Sequence, residues 1–173
     1  MLKGKLRPRS IKILPMEPNR NKFIPVTFDI RRPTLEELPK IQAFRRHLLK
    51  SVTANSKSKL SDIDLDSRTI HIAAFLGGEV VGCVRFEVDN FRVGNYFVSR
   101  MATRADVQGS GIGAGVMKYG ERLAQEQGGV SITLDARSTA VGFYQKMGYS
   151  FDGGRLAAKA ADQAMTKQFQ LGH

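Results

Sequence analysis

The run Gln108-Gly109-Ser110-Gly111-Ile112-Gly113 constrains this chain more than any other feature of its sequence. It stands between a strand-like apolar run, Tyr96 to Thr103, and a helix-like run, Ile112 to Gln127. Alternating glycines at a strand-to-helix turn leave backbone N–H groups uncovered at a helix start. Those groups lack helical partners and the helix dipole is positive there, so such a turn is suited to a phosphate. The chain is expected to handle a phosphorylated ligand.

Three phosphate-binding families use glycines in this way. A P-loop needs Gly-Lys-Ser/Thr after its last glycine; Ala114-Gly115-Val116 follows Gly113 here. The dinucleotide fingerprint fits Gly109-x-Gly111-x-x-Ala114, with Asp135 ending the next apolar run about 20 residues on. Two facts weigh against it. Arg104 to Gln108 separate the strand from the first glycine, and too little chain follows Asp135 for a series of βα units.

The third family fits residue by residue. Arg100-Met101-Ala102-Thr103-Arg104-Ala105-Asp106-Val107-Gln108-Gly109-Ser110-Gly111-Ile112-Gly113 resembles the acyl-CoA-binding signature of the GNAT-type N-acetyltransferase superfamily. Ala140-Val141-Gly142-Phe143-Tyr144-Gln145-Lys146-Met147-Gly148-Tyr149 resembles the family's second signature, and Ile30 to Ile41 is similar to its first strand and helix entry. The resemblance covers about residues 25 to 171, with the three segments in the family's order.

That resemblance implies acetyl transfer from acetyl-CoA to an amine, with no metal. It implies that the strand Met101-Ala102-Thr103 pairs with pantetheine through the backbone of Met101 and Thr103. Gln108, Gly109, Ser110, Gly111, Ile112, Gly113 and Ala114 would take the pyrophosphate. Tyr144 would protonate the leaving thiolate, as a nearby phenol can when charge builds on sulfur; the plainer reading of Tyr144 is packing at a helix edge. Some family members carry a glutamate on the strand before the glycine turn. This chain has Phe97, Val98, Ser99 and Arg100 there. Glu87, His71 and Asp135 are the candidate bases, beside a water-relayed route or an amine already neutral in a minor population. His71 lies in an apolar run and reads first as a structural histidine.

The 173 residues suit one domain with a sizeable core. A lone cysteine, Cys83, cannot form an internal disulfide, and with three histidines it argues against structural zinc. No apolar run approaches the ~18 residues of a membrane span, and residues 1–24 lack a signal-peptide core, so a cytoplasmic protein without membrane contact is expected. The net charge is +11, and residues 1–24 carry +6 of it, with seven basic side chains against Glu17. That segment reads as a basic, mobile arm ahead of one catalytic domain, residues 25–173. An arm that touches nucleic acid is the alternative.

Coarse periodicity gives a strand at Val26–Ile30 and a helix entered through a Thr34/Glu37 capping box, with Leu35, Leu38, Ile41, Phe44, Leu48, Leu49 and Val52 on one face. Pro39, about one turn in, weakens the early helix or marks a delayed start. Asp62, Asp64 and Asp66 lack the rest of a calcium loop and read as a turn. Ile70–Phe75 and Val80–Val88 form a hairpin across Gly77-Gly78. A buried face of Ile112, Val116, Met117, Tyr119 and Leu123 follows the glycines, then a strand at Val130–Leu134, a helix at Thr139–Met147, and last strands at Tyr149–Phe151 and Met165–Leu171. Arg155–Asp162 is alanine-rich and open to a helical or a loop reading. The order suits an α/β fold, a central mixed sheet with helices on both faces, as in GNAT-like acyl-CoA N-acyltransferases.

The acceptor is not legible beyond an amine of a small molecule or peptide; Lys50, Lys57 and Lys59 favour acidic surroundings for it. Two other functions compete: an acyl-homoserine-lactone or N-acyl amino acid synthase-like acyltransferase, and a nucleic-acid or ribosome-associated module using the basic arm. A monomer and a homodimer are equally compatible.

Overall fold

In a computed structural model, the described residues are 9–13, 26–49 and 60–170. Their strands are β1 (Arg9–Ile13), β2 (Val26–Arg31), β3 (Ile70–Leu76), β4 (Glu79–Val88), β5 (Asn95–Thr103), β6 (Ser131–Arg137), β7 (Ser150–Phe151) and β8 (Asp162–Gln168). They form one sheet in the order β1-β2-β3-β4-β5-β6-β8-β7. The β5–β6 pairing is parallel and the others are antiparallel, so the sheet is mixed. Helices α1 (Leu38–Leu49) and α2 (Asp62–Leu65) precede β3, α3 (Ile112–Glu126) follows β5, and α4 (Val141–Lys146) follows β6.

One face of the sheet packs against α3 and α4. There Ile30, Ile72, Phe86, Val98, Ile132 and Leu134 meet Val116, Met117 and Tyr144. The other face carries α1, where Leu38 and Ile41 meet Ala73, Phe75 and Cys83. Strands β3 and β4 are covered on both sides, which is why they read as near-continuous apolar runs. Their connecting Gly77 and Gly78 both have positive φ (56° and 83°), as a two-residue hairpin turn demands.

The packing of α3 fixes the geometry of everything that follows. A Cβ at Gly120 would lie 2.0 Å from the Phe86 ring, and one at Gly82 would lie 2.6 Å from Ile112 Cγ2. The missing side chains let the helix lie directly on β4. Met117 is fully buried, while Tyr119 is half-buried beneath the Arg122 guanidinium, 4.7 Å from its ring centre.

Several local expectations change. Leu35 sits in a short 3-10 turn and is 76% exposed, because α1 begins only at Leu38; Pro39 falls in its first turn. Glu37 does reach back to the Thr34 N–H (2.8 Å), and it also takes a two-pronged pair from Arg31. Asp62–Leu65 is one helical turn capped by Ser61 rather than a plain turn. Residues 155–161 contain no helix. Within the segment read as an arm, Arg9–Ile13 forms an antiparallel edge strand on β2. The rest of that segment, and Lys50, Val52, Lys57 and Lys59, lie outside the described residues.

Candidate active site

The site starts from a pairing that stops halfway. β5 and β6 pair in parallel from Asn95–Ser131 to Val98–Leu134 and no further. β5 continues to Thr103 and β6 to Arg137 without each other. A cleft of about 1070 Å³ opens between them. Its walls include both strand ends, the start of α3, and Phe143 and Tyr144 of α4.

A bulge in β5 accompanies the opening. Cys83 pairs with Ala102 and Arg85 with Ser99, so Arg100 and Met101 together oppose Val84. Arg100 has φ +54°, the only non-glycine with positive φ among the described residues. Such a conformation costs about 1–3 kcal/mol and persists only where its surroundings hold it. Here the Cys83 thiol donates to the Arg100 carbonyl (3.5 Å). Burial pushes that thiol's pKa up, which keeps the donor proton in place. The sequence carries no glycine or other signal for this bulge.

The bulge re-aims the backbone beyond it. The Arg104 N–H donates to the Val81 carbonyl (2.9 Å), which fixes the ladder's parity. By that alternation the polar groups of Ala102 point to β4, and those of Met101 and Thr103 point to the open edge. Gln108 Nε2 donates to the Thr103 carbonyl (3.2 Å) from that side. Backbone groups on an open edge can pair with an extended ligand as a further strand would.

Next comes the glycine turn. Gly109 and Gly111 both have positive φ (78° and 84°), and Gly111 is the N-cap of α3. The first intrahelical bond is Gly115 N–H to the Gly111 carbonyl (2.9 Å), so the N–H groups ahead of it face out of the helix end. A Cβ at Gly109 would meet nothing within 4 Å, which marks open space beside the turn. At Gly113 a Cβ would press on Met101 Cε at 3.0 Å. The turn therefore fits a phosphate group held by main-chain donors and the helix dipole.

Of the residues singled out in the sequence, Met101, Ala102, Thr103, Gln108, Gly109, Gly111, Ile112, Gly113, Ala114 and Tyr144 all line this cleft. Ser110 does not; its hydroxyl turns back to the Val107 carbonyl. Tyr144 is 8% exposed and belongs to the core as well as to the cleft wall. It packs edge-on against Phe143 and Tyr149, and its hydroxyl donates to Met101 Sδ (3.2 Å). Burial pushes its pKa up to about 12, so the phenol is a neutral proton donor at ordinary pH.

The three candidate bases separate clearly. His71 is buried and lies outside this cleft. Its Nδ1 faces Arg45 Nη2 (3.3 Å), which can only donate, so Nδ1 accepts and Nε2–H donates to the Asp64 carbonyl (3.1 Å). Burial and the neighbouring Arg45 lower its pKa to about 4, which keeps the ring neutral. Asp135 lines the cleft, but Arg155 Nη1 (2.5 Å) and the Ala158 N–H (2.9 Å) take one oxygen each. It latches the loop before β8 instead. Glu87 also lines the cleft, and Arg85 and Ser99 donate to it, all on Oε1. Glu87, Ser99 and Phe97 lie on the α1 face of the sheet, across from Tyr144.

Comparison with known proteins follows the geometry. The acetyltransferase (GNAT) family model matches residues 33–149. No curated protein sequence matches the chain. Among solved structures, Escherichia coli ElaA is 15% identical with a TM-score of 0.66, over 83% of this chain and 99% of that one. An aminoglycoside 6'-N-acetyltransferase complexed with coenzyme A is 16% identical with a TM-score of 0.66, over 80% and 96%. The PaiA N-acetyltransferase of Thermoplasma acidophilum, in complex with coenzyme A, is 17% identical with a TM-score of 0.64, over 82% and 99%. At these identities the likeness is one of fold.

Proposed function

The chain belongs to the acetyltransferase (GNAT) family, and from that premise we propose that it moves an acetyl group from acetyl-CoA directly to a primary amine of a small molecule or peptide. One observation carries the reading. A single cleft unites a phosphate-ready helix end, an open strand edge, a protonated phenol and a carboxylate. The main chain of Gly109 to Ala114 would hold the pyrophosphate, and the edge at Met101 and Thr103 the pantetheine.

Each residue has a task in this scheme. Glu87 takes the proton of the acceptor nitrogen, directly or through water. The nitrogen lone pair then forms a bond to the acetyl carbonyl carbon, and the carbon–sulfur bond breaks. Tyr144 passes its proton to the departing sulfur and regains one from solvent. The net change is amine and thioester to amide and thiol.

The test is a mass-spectrometric search for acetylated products after incubation with acetyl-CoA and a panel of an aminoglycoside, a polyamine, amino acids and lysine-containing peptides. Calorimetric titration with CoA runs beside it. Product that depends on the protein, together with CoA binding, supports the proposal. No binding of CoA and no product from any panel member refutes it.

A further inference from the structure

Behind Glu87 stands a buried chain of charges that the transfer chemistry does not use. We propose that Arg85 is a positioning residue for acetyl transfer: its guanidinium holds the Glu87 carboxylate at the cleft wall, and Asp64 in turn holds the guanidinium. This inference rests on Glu87 being the base.

The geometry is specific. Arg85 Nε and Nη2 both donate to Glu87 Oε1, at 2.9 and 2.6 Å, and Nε also reaches Ser99 Oγ at 3.2 Å. The Ser99 hydroxyl adds a further bond to the same Oε1. The remaining prong, Nη1, donates to Asp64 Oδ1 at 2.8 Å. Asp64 is fixed from behind by the Ser61 hydroxyl (2.7 Å) and N–H (3.2 Å) on Oδ2 and by Arg45 Nη1 (3.4 Å) on Oδ1. Neutral His71 seats Arg45 and closes the chain through the Asp64 carbonyl.

The parts come from α1, α2, β3, β4 and β5, with two guanidinium groups against two carboxylates. Arg85 and Asp64 are each 7% exposed, whereas the Glu87 side chain keeps 20% exposure at the cleft. Stability alone does not call for such an arrangement. Buried ion pairs roughly offset their own desolvation, and apolar residues of similar size commonly do as well. What the network does supply is direction. Every hydrogen bond that Glu87 accepts among the described residues falls on Oε1. The carboxylate is thereby pinned on one side, with its other oxygen left for the cleft. Only a planar fork can span Glu87 and Asp64 at once; a lysine ammonium is a single point charge.

The experiment uses the full chain, acetyl-CoA and the panel amine acetylated fastest by the wild type. In Arg85→Ala, kcat falls about 10²-fold, the cost of roughly 1 Å of misplacement at a reacting group. KM for acetyl-CoA stays put, because the phosphate end is untouched. Millimolar guanidinium, filling the vacated space, raises kcat of Arg85→Ala and leaves the wild type unchanged. Arg85→Lys falls between the two. Arg85→Ala leaves two carboxylates facing an empty space, so Arg85→Ala/Asp64→Asn, which removes one of them, provides a folded background for the same guanidinium test. Glu87→Gln separates the two ideas. If Glu87→Gln is inactive while Arg85→Ala keeps wild-type kcat, the positioning role is overturned and the base stands. If Glu87→Gln keeps wild-type kcat, the base falls and the positioning role with it. A loss in Arg85→Ala that appears equally in KM and thermal stability, with no response to guanidinium, shows plain packing and also overturns the proposal.

Discussion

Gly120→Ala sets two effects of opposite sign against each other. In a helix interior, replacing glycine by alanine is worth about 1 kcal/mol of added stability. At this position the new methyl would lie 2.0, 2.5 and 2.7 Å from three atoms of the Phe86 ring, where carbon atoms prefer about 3.5–4.0 Å. Phe86 is fully buried in β4 and has nowhere to go, so the helix must lift by more than an ångström. Overpacking costs typically 1–3 kcal/mol, and a mismatch this large belongs at the upper end, about 3 kcal/mol. The clash wins, for a net loss of about 2 kcal/mol. At about 2–4 °C per kcal/mol for a chain of this size, Tm falls by about 4–8 °C. Urea denaturation followed by far-ultraviolet circular dichroism measures the same loss directly. Phe86→Leu in the same chain, with a shorter side chain opposite the methyl, makes the double variant more stable than the two separate losses add up to. A Gly120→Ala protein as stable as the wild type, or more so, would refute the argument that α3 rests on bare backbone.

Further outcomes follow from the site. Gly111→Val places a branched side chain at a φ of +84° beside the phosphate turn, so calorimetry should show CoA binding largely abolished while the circular dichroism spectrum persists; unchanged affinity would remove the turn from the site. Tyr144→Phe is expected to lower kcat by about 10²- to 10⁴-fold with little change in KM for acetyl-CoA, and wild-type turnover would reduce Tyr144 to a packing residue. His71 has its pKa lowered from 6.5 to about 4 in the folded chain. Its contribution is therefore full above pH 6.5 and is lost as pH falls toward 4, on the order of 3 kcal/mol, because the unfolded chain binds the proton that the folded chain refuses. Urea midpoints across that window should show the slope, and His71→Gln should flatten it. Deleting residues 1–24 strips β1 from β2, so Tm is expected to drop by at least about 2–4 °C, equivalent to ~1 kcal/mol; an unchanged Tm would show that β1 adds nothing.

How much of this could be read in the residues depends on range. Local chemistry was legible. The paired glycines at 77–78, the apolar stripe of α3 and the Gln108–Gly113 turn each announce their own structure through neighbours a few positions away. What stayed hidden depends on residues far apart in sequence. Nothing around Arg100 marks a bulge, since an arginine enters positive φ only because Val84 and Cys83 sit across from it. Asp64 read as part of an acidic turn because its partners, Arg45 and Arg85, are 19 and 21 positions away. Glu121 drew no comment in the sequence, yet it is buried between the Tyr149 hydroxyl and Lys167 Nζ, each 2.7 Å away, and those partners are 28 and 46 positions on. The Arg9–Ile13 strand was obscured by its charge, which outweighs the short alternation of apolar residues.

The halted pairing of β5 and β6 also divides the molecule in time. Among the described residues of the sheet, the strands before the glycine turn and those after it join across four residue pairs, Asn95–Ser131 to Val98–Leu134. Such a short seam makes the two halves candidates for separate cooperative opening units. Amide hydrogens along β3 and β4, ladder-bonded on both sides, should then exchange on the slowest timescale. Those of β6 and β8 should exchange sooner, through a local parting of the seam. A bound molecule that bridges both strand ends would slow that second class selectively, so exchange rates in β6 and β8 report on occupancy without any knowledge of the acceptor.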